Sequence, residues 1–398
     1  MKTVKTVLTW TVCVVLIAAA GWPRPAAAGM GVYSPTAAYR VLEPITSGEV
    51  TLYPIVRAHV QERAAHWSYL TLDQGLQSGE VVITEAGKAR GLVRSRHGAQ
   101  VNEFSSGDQV NTLVLINNSN RPLVLLAGEI VTGGKQDRVI ATDRIVPPRS
   151  EPLNLSVFCI EPGRWVENSS KFGAAGKEAH KSFMVQPSVR QKAMVAQNQQ
   201  QVWDAVGRSI GGSAGAVAYD GPSTNGGVQH SAPTSSYARV MAAPAMQAKV
   251  EALAAPAFGD NDEVIGKLRR KQVIGVVAAV NGHIVWADLF ATPEMLAEYW
   301  TKLVRSYAAE AIGSAAHAGP TADKESVLRF VSEAANGEEK SEGKTAVYRY
   351  HQVRGQQISV FTLEALLPGT EFEVHRSKLV HEREAAAEIR RHDMIMIR

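Results

Sequence analysis

The stretch VIGVVAAVNGHIVWADLF, residues 273–290, carries the strongest fold signal in this sequence. Two apolar runs flank Asn281-Gly282, and both central residues of a type I′ hairpin turn need a positive φ, which Asn and Gly adopt most readily. The stretch therefore predicts an antiparallel β-hairpin. Thr292, Pro293 and Glu294 follow as an N-cap, a proline at the first helical position and a first-turn acid, so we predict a helix directly after the hairpin.

The region before this hairpin is predicted to begin with strands. From Tyr39 to about Cys159, short apolar or alternating runs are separated by Asn, Ser and Pro residues, a pattern typical of strands joined by turns. Residues 117–122 and 147–150 are predicted to form hairpin-like turns, and residues 72–78 a short helix. These features predict an α+β protein whose N-terminal part is an antiparallel β-rich sandwich or barrel.

The rest of the chain is predicted to mix helices with a few strands. Val189–Ile210 has apolar residues at helical spacing, and Gly211-Gly212 is the predicted end of that helix. Residues 211–236 are rich in Gly, Ser, Ala and Pro, which predicts a flexible loop. The predicted organisation is a signal peptide over 1–28, a β-rich domain with inserted helices over 39–318, and a helix, strands and a charged tail over 319–398.

The first 28 residues have the pattern of a secretory signal peptide. Lys2 and Lys5 precede an apolar run of 14 residues, which is too short to span a bilayer comfortably and ends near small residues. We predict cleavage between Ala28 and Gly29. The mature protein is then expected to be periplasmic or extracellular, with no transmembrane segment after cleavage.

The composition argues against several classes of function. Three of the 42 basic residues lie in the predicted signal peptide, which leaves 39 basic against 38 acidic residues and gives no electrostatic support for nucleic-acid binding. Of the two cysteines, the mature chain keeps only Cys159, so it has no internal disulfide. The histidines show neither H-x-H nor H-E-x-x-H spacing, and we predict neither a metal site nor a cofactor.

Two polar clusters follow predicted strands and form the candidate site. Residues 128–138, GEIVTGGKQDR, surround a Gly-Gly pair with charged side chains, and the amides of such a pair can bind an anion. Residues 159–165, CIEPGRW, contain an arginine suited to carboxylate or phosphate and an indole that can stack on a ring. We predict that both clusters meet at one end of the β-rich part. The predicted binding residues are Glu129, Lys135, Gln136, Arg138, Cys159, Glu161, Arg164 and Trp165.

Three functions are consistent with these residues. In a binding module, Lys135, Arg138 and Arg164 would hold an anionic small molecule, Gln136 would orient it and Trp165 would stack on it. In a hydrolase, the two glutamates would act as general acid and base, or the cysteine as nucleophile. In a structural or protein-interaction domain, the acids and bases would pair with one another. Because the sequence shows no nucleophile–base pair, binding is the favoured function and enzymatic activity is left open.

Several of these motifs also occur together in a known family. The series resembles the bacterial domain family of unknown function that is named for its association with ADP-ribosylglycohydrolases and rhodanese-phosphatases. The resemblance covers most of residues 40–318, implies no established activity, and by the family's name implies a link to ADP-ribose or phosphoryl chemistry. The motifs are LDQGL at 72–76, GEV at 79–81, NTL at 111–113, GE at 128–129, GGKQDR at 133–138, C-x-E-x-G-R-W at 159–165, VW at 202–203 and DLF at 288–290.

Overall fold

The structure is a computed structural model that describes residues 38–59, 68–91, 111–163, 169–176, 182–214, 234–258, 261–314, 319–368 and 372–381. The strands in this part are β1 (Tyr39–Val41), β2 (Ile45–Ser47), β3 (Val50–Arg57), β4 (Leu70–Thr71), β5 (Val81–Glu85), β6 (Thr112–Asn117), β7 (Leu123–Leu125), β8 (Ile130–Gly133), β9 (Arg138–Ile140), β10 (Arg144–Val146), β11 (Leu153–Cys159), β12 (Phe172–Ala174), β13 (Val273–Val280), β14 (His283–Phe290), β15 (Glu338–Lys344), β16 (Tyr348–Arg354), β17 (Ile358–Ala365) and β18 (Phe372–Val380). The helices are α1 (Leu72–Ser78), α2 (Pro187–Gln191), α3 (Gln199–Ala214), α4 (Tyr237–Ala242), α5 (Pro244–Phe258), α6 (Asn261–Arg270), α7 (Pro293–Gly313) and α8 (Lys324–Ser332). Helices and largely antiparallel sheets confirm the predicted α+β class.

The predicted hairpin at residues 273–290 is confirmed and lies inside the largest sheet. β13 and β14 pair antiparallel, and Asn281 and Gly282 have φ angles of 52° and 82°, as a type I′ turn requires. Among the described strands, nine form this sheet in the order β1-β3-β13-β14-β18-β17-β16-β15, with β2 paired to β3. The hairpin therefore joins the N-terminal strands to the C-terminal ones.

Helix α7 follows the hairpin and packs on one face of the large sheet. Its start is the predicted one: Thr292 Oγ1 accepts a hydrogen bond from the Met295 N–H (3.2 Å), and Pro293 occupies the first helical position. Trp300 is fully buried and belongs to the same hydrophobic cluster as Trp286 of β14. Tyr299 and Tyr307 of the same helix are buried in this cluster as well, so the aromatic residues of α7 are part of the core.

The N-terminal strands pair differently from the prediction. β6 pairs with β5 and β11, whereas β7 pairs antiparallel with β10 and parallel with β4. The predicted hairpins at residues 117–122 and 147–150 are therefore wrong. Asn117 accounts for the different path of residues 117–122, because its Nδ2 donates to the carbonyl oxygens of Arg121 (2.9 Å) and Pro147 (3.0 Å). These hydrogen bonds satisfy backbone carbonyl groups, while the chain passes from β6 in one sheet to β7 in another.

The predicted helix over Val189–Ile210 is divided in two. A π-helical turn follows α2, and Gln197, with a φ of 48°, separates it from α3. The predicted end at Gly211-Gly212 is wrong, because α3 continues to Ala214. A Cβ on Gly212 would lie 2.5 Å from the Gly313 carbonyl oxygen, so this glycine permits the close approach of α3 to α7. Of the predicted loop, residues 215–233 lie outside the described residues.

The C-terminal strands extend the large sheet. β16 and β17 form a hairpin around Arg354-Gly355, and β18 pairs with β14. The division at residue 318 stays a prediction, although strands from both predicted segments share this sheet. The predicted signal peptide and the tail after residue 381 lie outside the described residues. In the part that is described, no helix is both long and apolar enough to cross a membrane.

Candidate functional site

The double-glycine loop between β8 and β9 uses its backbone amides within the protein. The Gly133 N–H donates to Asp137 Oδ1 (3.1 Å), the next amide donates to Ser169 Oγ (3.2 Å), and the Lys135 N–H donates to Glu85 Oε1 (3.1 Å). Two of these acceptors are carboxylates of the chain itself. The expectation that these amides are open to an external anion is therefore wrong, while the role predicted for the half-buried Lys135 side chain stays a prediction.

Four of the predicted residues do lie together, in a group that we call the cysteine cluster. Pairing of β9 with β11 places Arg138 opposite Cys159. The Gln136 Nε2 donates to the Glu161 carbonyl oxygen (3.0 Å), and the Asp137 N–H donates to Glu161 Oε2 (3.2 Å). These four side chains and that of Asp137 are buried. Strand pairing thus brings residues 136–138 next to Cys159 and Glu161, while their role in binding stays a prediction.

The cysteine cluster is enclosed by helical residues. Ser236, the N-cap of α4, donates from its Oγ to Asp137 Oδ2 (3.1 Å). Gln199 of α3 accepts from the Cys159 N–H and donates to the Cys159 carbonyl oxygen, both at 2.9 Å. Arg138 is 0% exposed. These contacts make the cluster part of the protein interior.

Cys159 lies in an environment that disfavours the thiolate. Its side chain is fully buried, and burial raises the pKa of the thiol above its ordinary value, even though the Glu161 N–H donates to Sγ (3.4 Å). A cysteine nucleophile needs a lowered pKa and an accessible sulfur. The geometry therefore gives no support to Cys159 as a nucleophile.

Glu129 lies apart from the cysteine cluster, in a group that we call the lysine network. Lys302 of α7 donates to Glu129 Oε1 (2.6 Å) and contacts Asp73 Oδ2 of α1 (2.8 Å). The Leu126 N–H donates to Glu129 Oε2 (2.8 Å), and Ser182 Oγ donates to Asp73 Oδ2 (2.5 Å). Burial alone would lower the pKa of Lys302, but the two carboxylates raise it above its ordinary value. Lys302 therefore stays charged and connects α7 to α1 and to the segment that precedes β8.

A second buried group, the histidine network, was not predicted. The His375 ring lies between two carboxylates: Nδ1 is 2.6 Å from Asp143 Oδ2, and Nε2 is 3.0 Å from Asp288 Oδ1. Asp288 also pairs with Arg190 Nη1 (3.0 Å) and accepts from the Tyr307 hydroxyl (2.5 Å). The sequence signal was an acid at position 288 inside a largely apolar strand. Its partners are distant in sequence and could not be identified from it.

The charges of the histidine network balance one another. Burial opposes protonation of His375, but Asp143 and Asp288 raise its pKa from 6.5 to about 9. Burial would raise the pKa of Asp288, but Arg190 and His375 hold it well below its ordinary value. Two cations thus face two anions in the core. Such groups are costly to bury unless they are paired and hydrogen-bonded.

The segment 126–129 lies between the two networks. The Ala127 N–H donates to Asp143 Oδ1 (2.8 Å) in the histidine network, while Glu129 belongs to the lysine network. Between them, Gly128 has a φ of 95°, and a Cβ there would lie 2.8 Å from Arg190 Cδ. The GE motif at 128–129 therefore positions both networks.

A cavity of about 720 Å³ adjoins the histidine network. Trp286 lines the cavity, and the Arg190 Cζ lies 4.5 Å from the centroid of its ring. The side chain of Gln191, also in the lining, is buried. The cavity has apolar walls and several polar side chains. Its lining residues are Pro187, Ser188, Gln191, Val280, His283, Ile284, Val285, Trp286, Glu310, Ser314, Gln357, Val380 and His381.

The remaining predicted site residues, Arg164 and Trp165, lie outside the described residues, and their roles stay predictions. Within the described ranges, no group of three or more His, Cys, Asp or Glu side chains is arranged to hold a metal ion. The family model described as "ARG and Rhodanese-Phosphatase-superfamily-associated Protein domain" matches residues 38–382. Neither a curated protein nor a solved structure matches the chain.

Proposed function

Because the chain belongs to the ARG and Rhodanese-Phosphatase-superfamily-associated Protein family, whose name records an association and no activity, we propose a function from the geometry. The protein is an exported binding module, and its small-molecule ligand occupies the cavity beside α2. The cavity carries this proposal: its volume of about 720 Å³ lies within the range of small-molecule sites, which combine apolar walls with a few polar groups.

The cavity is a better ligand site than the predicted polar clusters. In the cysteine cluster, the Gln136 side chain donates to the Glu161 carbonyl oxygen, and the Glu161 side chain accepts from the Asp137 N–H. Cys159 and Arg138 are fully buried. Glu129 is bound by Lys302. A ligand would have to displace these contacts, whereas the cavity already has space.

Binding is also better supported than hydrolysis. His381 lines the cavity and bonds the Ser359 hydroxyl (2.9 Å), but Ser359 is 0% exposed and does not line the cavity. The Ser188 hydroxyl, which does line it, donates to Glu310 Oε2 (2.9 Å). A carboxylate is a weak base for a serine, and efficient general bases have a pKa near the working pH. Neither of these two pairs therefore joins an accessible nucleophile to a suitable base.

A thermal-shift screen of the mature chain, residues 29–398, against a panel of small molecules tests the proposed binding function. A ligand at 100 times its Kd adds about 2.7 kcal/mol to the free energy of unfolding. Ser314→Trp places an indole at the cavity wall and is expected to remove the shift. Ser341→Trp, on the exposed strand β15, is the matched control. A blank panel, or a hit that survives Ser314→Trp, contradicts the proposed site.

Export is tested separately. Mass spectrometry of the protein purified from a bacterial host is expected to give an N-terminus at Gly29, in the periplasmic or extracellular fraction. A chain that keeps residues 1–28 and stays in the cytoplasmic fraction would contradict this part of the proposal.

A further inference from the structure

Strand β15 (Glu338–Lys344) forms one edge of the nine-stranded sheet. Among the described strands it pairs with β16 alone. Every residue of β15 is exposed, so the described part of the chain leaves this strand open to solvent. An open edge presents unpaired backbone N–H and C=O groups to any strand that fits it.

The pairing of β16 shows which backbone groups of β15 point outward. The carbonyl oxygen of Val347, directly before β16, accepts from the Leu366 N–H, so the odd-numbered residues of β16 direct their backbone groups to β17. The even-numbered residues of β16 therefore face β15, and their partners on β15 are also even-numbered. This leaves the N–H and C=O groups of Glu339, Ser341 and Gly343 on the open side.

The charges of β15 are complementary to those of a second copy of the same strand. We consider an antiparallel pair whose two-fold axis passes through Ser341. Lys340 then lies opposite the second copy's Glu342, and Glu338 lies opposite the second copy's Lys344. Each pair occurs twice by symmetry. Opposite charges that face each other across two strands stabilise the pairing, and like charges destabilise it.

The same register also satisfies the open backbone groups. Ser341 lies opposite its own symmetry mate, and Glu339 lies opposite the second copy's Gly343, so each outward N–H meets an outward C=O. Within one chain, Lys340 Nζ lies 3.6 Å from Glu342 Oε2, and an exposed pair of this kind contributes little by itself. In the symmetric pair, these two charges and their mates alternate in sign.

Neighbouring registers are disfavoured by charge. An axis at Lys340 places two lysines opposite each other and brings Glu338 opposite Glu342. An axis at Glu342 places two glutamates opposite each other and brings Lys340 opposite Lys344. Both registers keep the outward backbone groups in contact, so the side-chain charges select the axis at Ser341.

We propose that the protein forms a symmetric dimer in which the β15 strands of two copies pair antiparallel about Ser341. The large sheet then continues from one chain into the other. Charged side chains on an edge strand ordinarily prevent pairing, and here their alternating signs select a second copy of β15 over strands with another charge pattern. No residue of β15 is in the cavity lining, so this inference is independent of the proposed binding function.

Sedimentation equilibrium of the mature chain, residues 29–398, measures the association. A contact between single strands lies at the small end of protein interfaces, so we expect a Kd in the micromolar range. Lys340→Glu and Glu342→Lys each bring like charges together at symmetric positions, and each is expected to weaken the dimer about tenfold. Lys267→Glu reverses an exposed charge on α6 and, as the matched control, is expected to leave the dimer unchanged.

Mixing the two charge-reversal variants tests the register directly. Lys340→Glu is negative at both central positions and Glu342→Lys is positive at both, so every charge in a mixed pair faces an opposite charge. The mixture is expected to form a heterodimer at a concentration where neither variant dimerises alone. Because this result is a gain of association, failure of a variant to fold cannot produce it.

Ser341→Pro tests the backbone pairing. It removes the outward N–H at the axis without changing a charge, and proline is tolerated on edge strands whose N–H faces solvent. This variant is expected to abolish the dimer. Ser341→Ala keeps the N–H but loses the same side-chain contact with His351 Nδ1 (2.8 Å), so it is the matched control and is expected to dimerise like the wild type.

Three results would overturn the proposed dimer. The first is a wild-type chain that stays monomeric up to about 1 mM, since a Kd above that corresponds to less than about 4 kcal/mol of binding free energy. The second is a dimer that survives Ser341→Pro. The third is a mixture of the two charge-reversal variants that associates no better than either variant alone.

Discussion

Raising the pH above neutrality is expected to destabilise the protein through His375. Both ring nitrogens contact a carboxylate, Asp143 at 2.6 Å and Asp288 at 3.0 Å. Burial opposes protonation, but these carboxylates raise the pKa of His375 from 6.5 to about 9. At about 1.4 kcal/mol per pKa unit, the difference contributes about 3 kcal/mol to the free energy of unfolding.

The sign of this effect follows from the direction of the shift. Because the pKa of His375 is higher in the folded chain, its contribution is complete below pH 6.5 and is lost as the pH rises through about 9. Lys378 acts in the opposite direction, because burial lowers its pKa from 10.5 to about 8. As the pH rises and Lys378 loses its proton, the cost of burying its charge disappears, so the free energy of unfolding increases. A variant is therefore needed to isolate the histidine.

The contribution of His375 is isolated by urea unfolding of the wild type and of Asp143→Asn at several values between about pH 6 and pH 10. The new amide can still accept from the Ala127 N–H but lacks the charge that faces His375, so the pKa of that histidine falls. We expect the stability advantage of the wild type to be largest at the acidic end of this range and to shrink as the pH rises, by at most about 3 kcal/mol. Lys378 contributes equally to both proteins and cancels. An advantage that is constant or grows with pH would refute the reasoning.

Three further predictions concern single residues. Lys302→Met leaves the buried Glu129 carboxylate and the partly buried Asp73 carboxylate without their cation and is expected to cost about 3–5 kcal/mol in urea unfolding; a loss below about 1 kcal/mol would contradict the lysine network. Gly128→Ala adds a Cβ 2.8 Å from Arg190 Cδ at a φ of 95°, and is expected to cost more than Gly79→Ala, where φ is also positive but no atom lies within 4 Å. Equal costs would contradict the contact with Arg190. Cys159 is expected to resist iodoacetamide in the native protein and to react in concentrated urea, and rapid native labelling followed by mass spectrometry would disprove its burial.

Local signals in the sequence were sufficient where the chain's neighbours in space are also its neighbours in sequence. The turn at Asn281-Gly282, the N-cap at Thr292 and the short helix α1 are all confirmed. Thr71 and Gln74 form a capping box on α1, so residues three positions apart decide where that helix begins. The cysteine cluster could be predicted for a related reason, since its two motifs end or begin strands that pair.

The sequence by itself therefore determined the α+β class, the central hairpin and the helix that follows it. Strand partners and charge partners were decided by the tertiary structure. Lys302 lies 173 residues from Glu129, and His375 lies 232 residues from Asp143. No local pattern encodes such pairs, because a buried charge needs a partner in space at any separation along the chain. The cavity has the same origin, since its walls come from separate segments of the chain that only the folded sheet and its helices bring together.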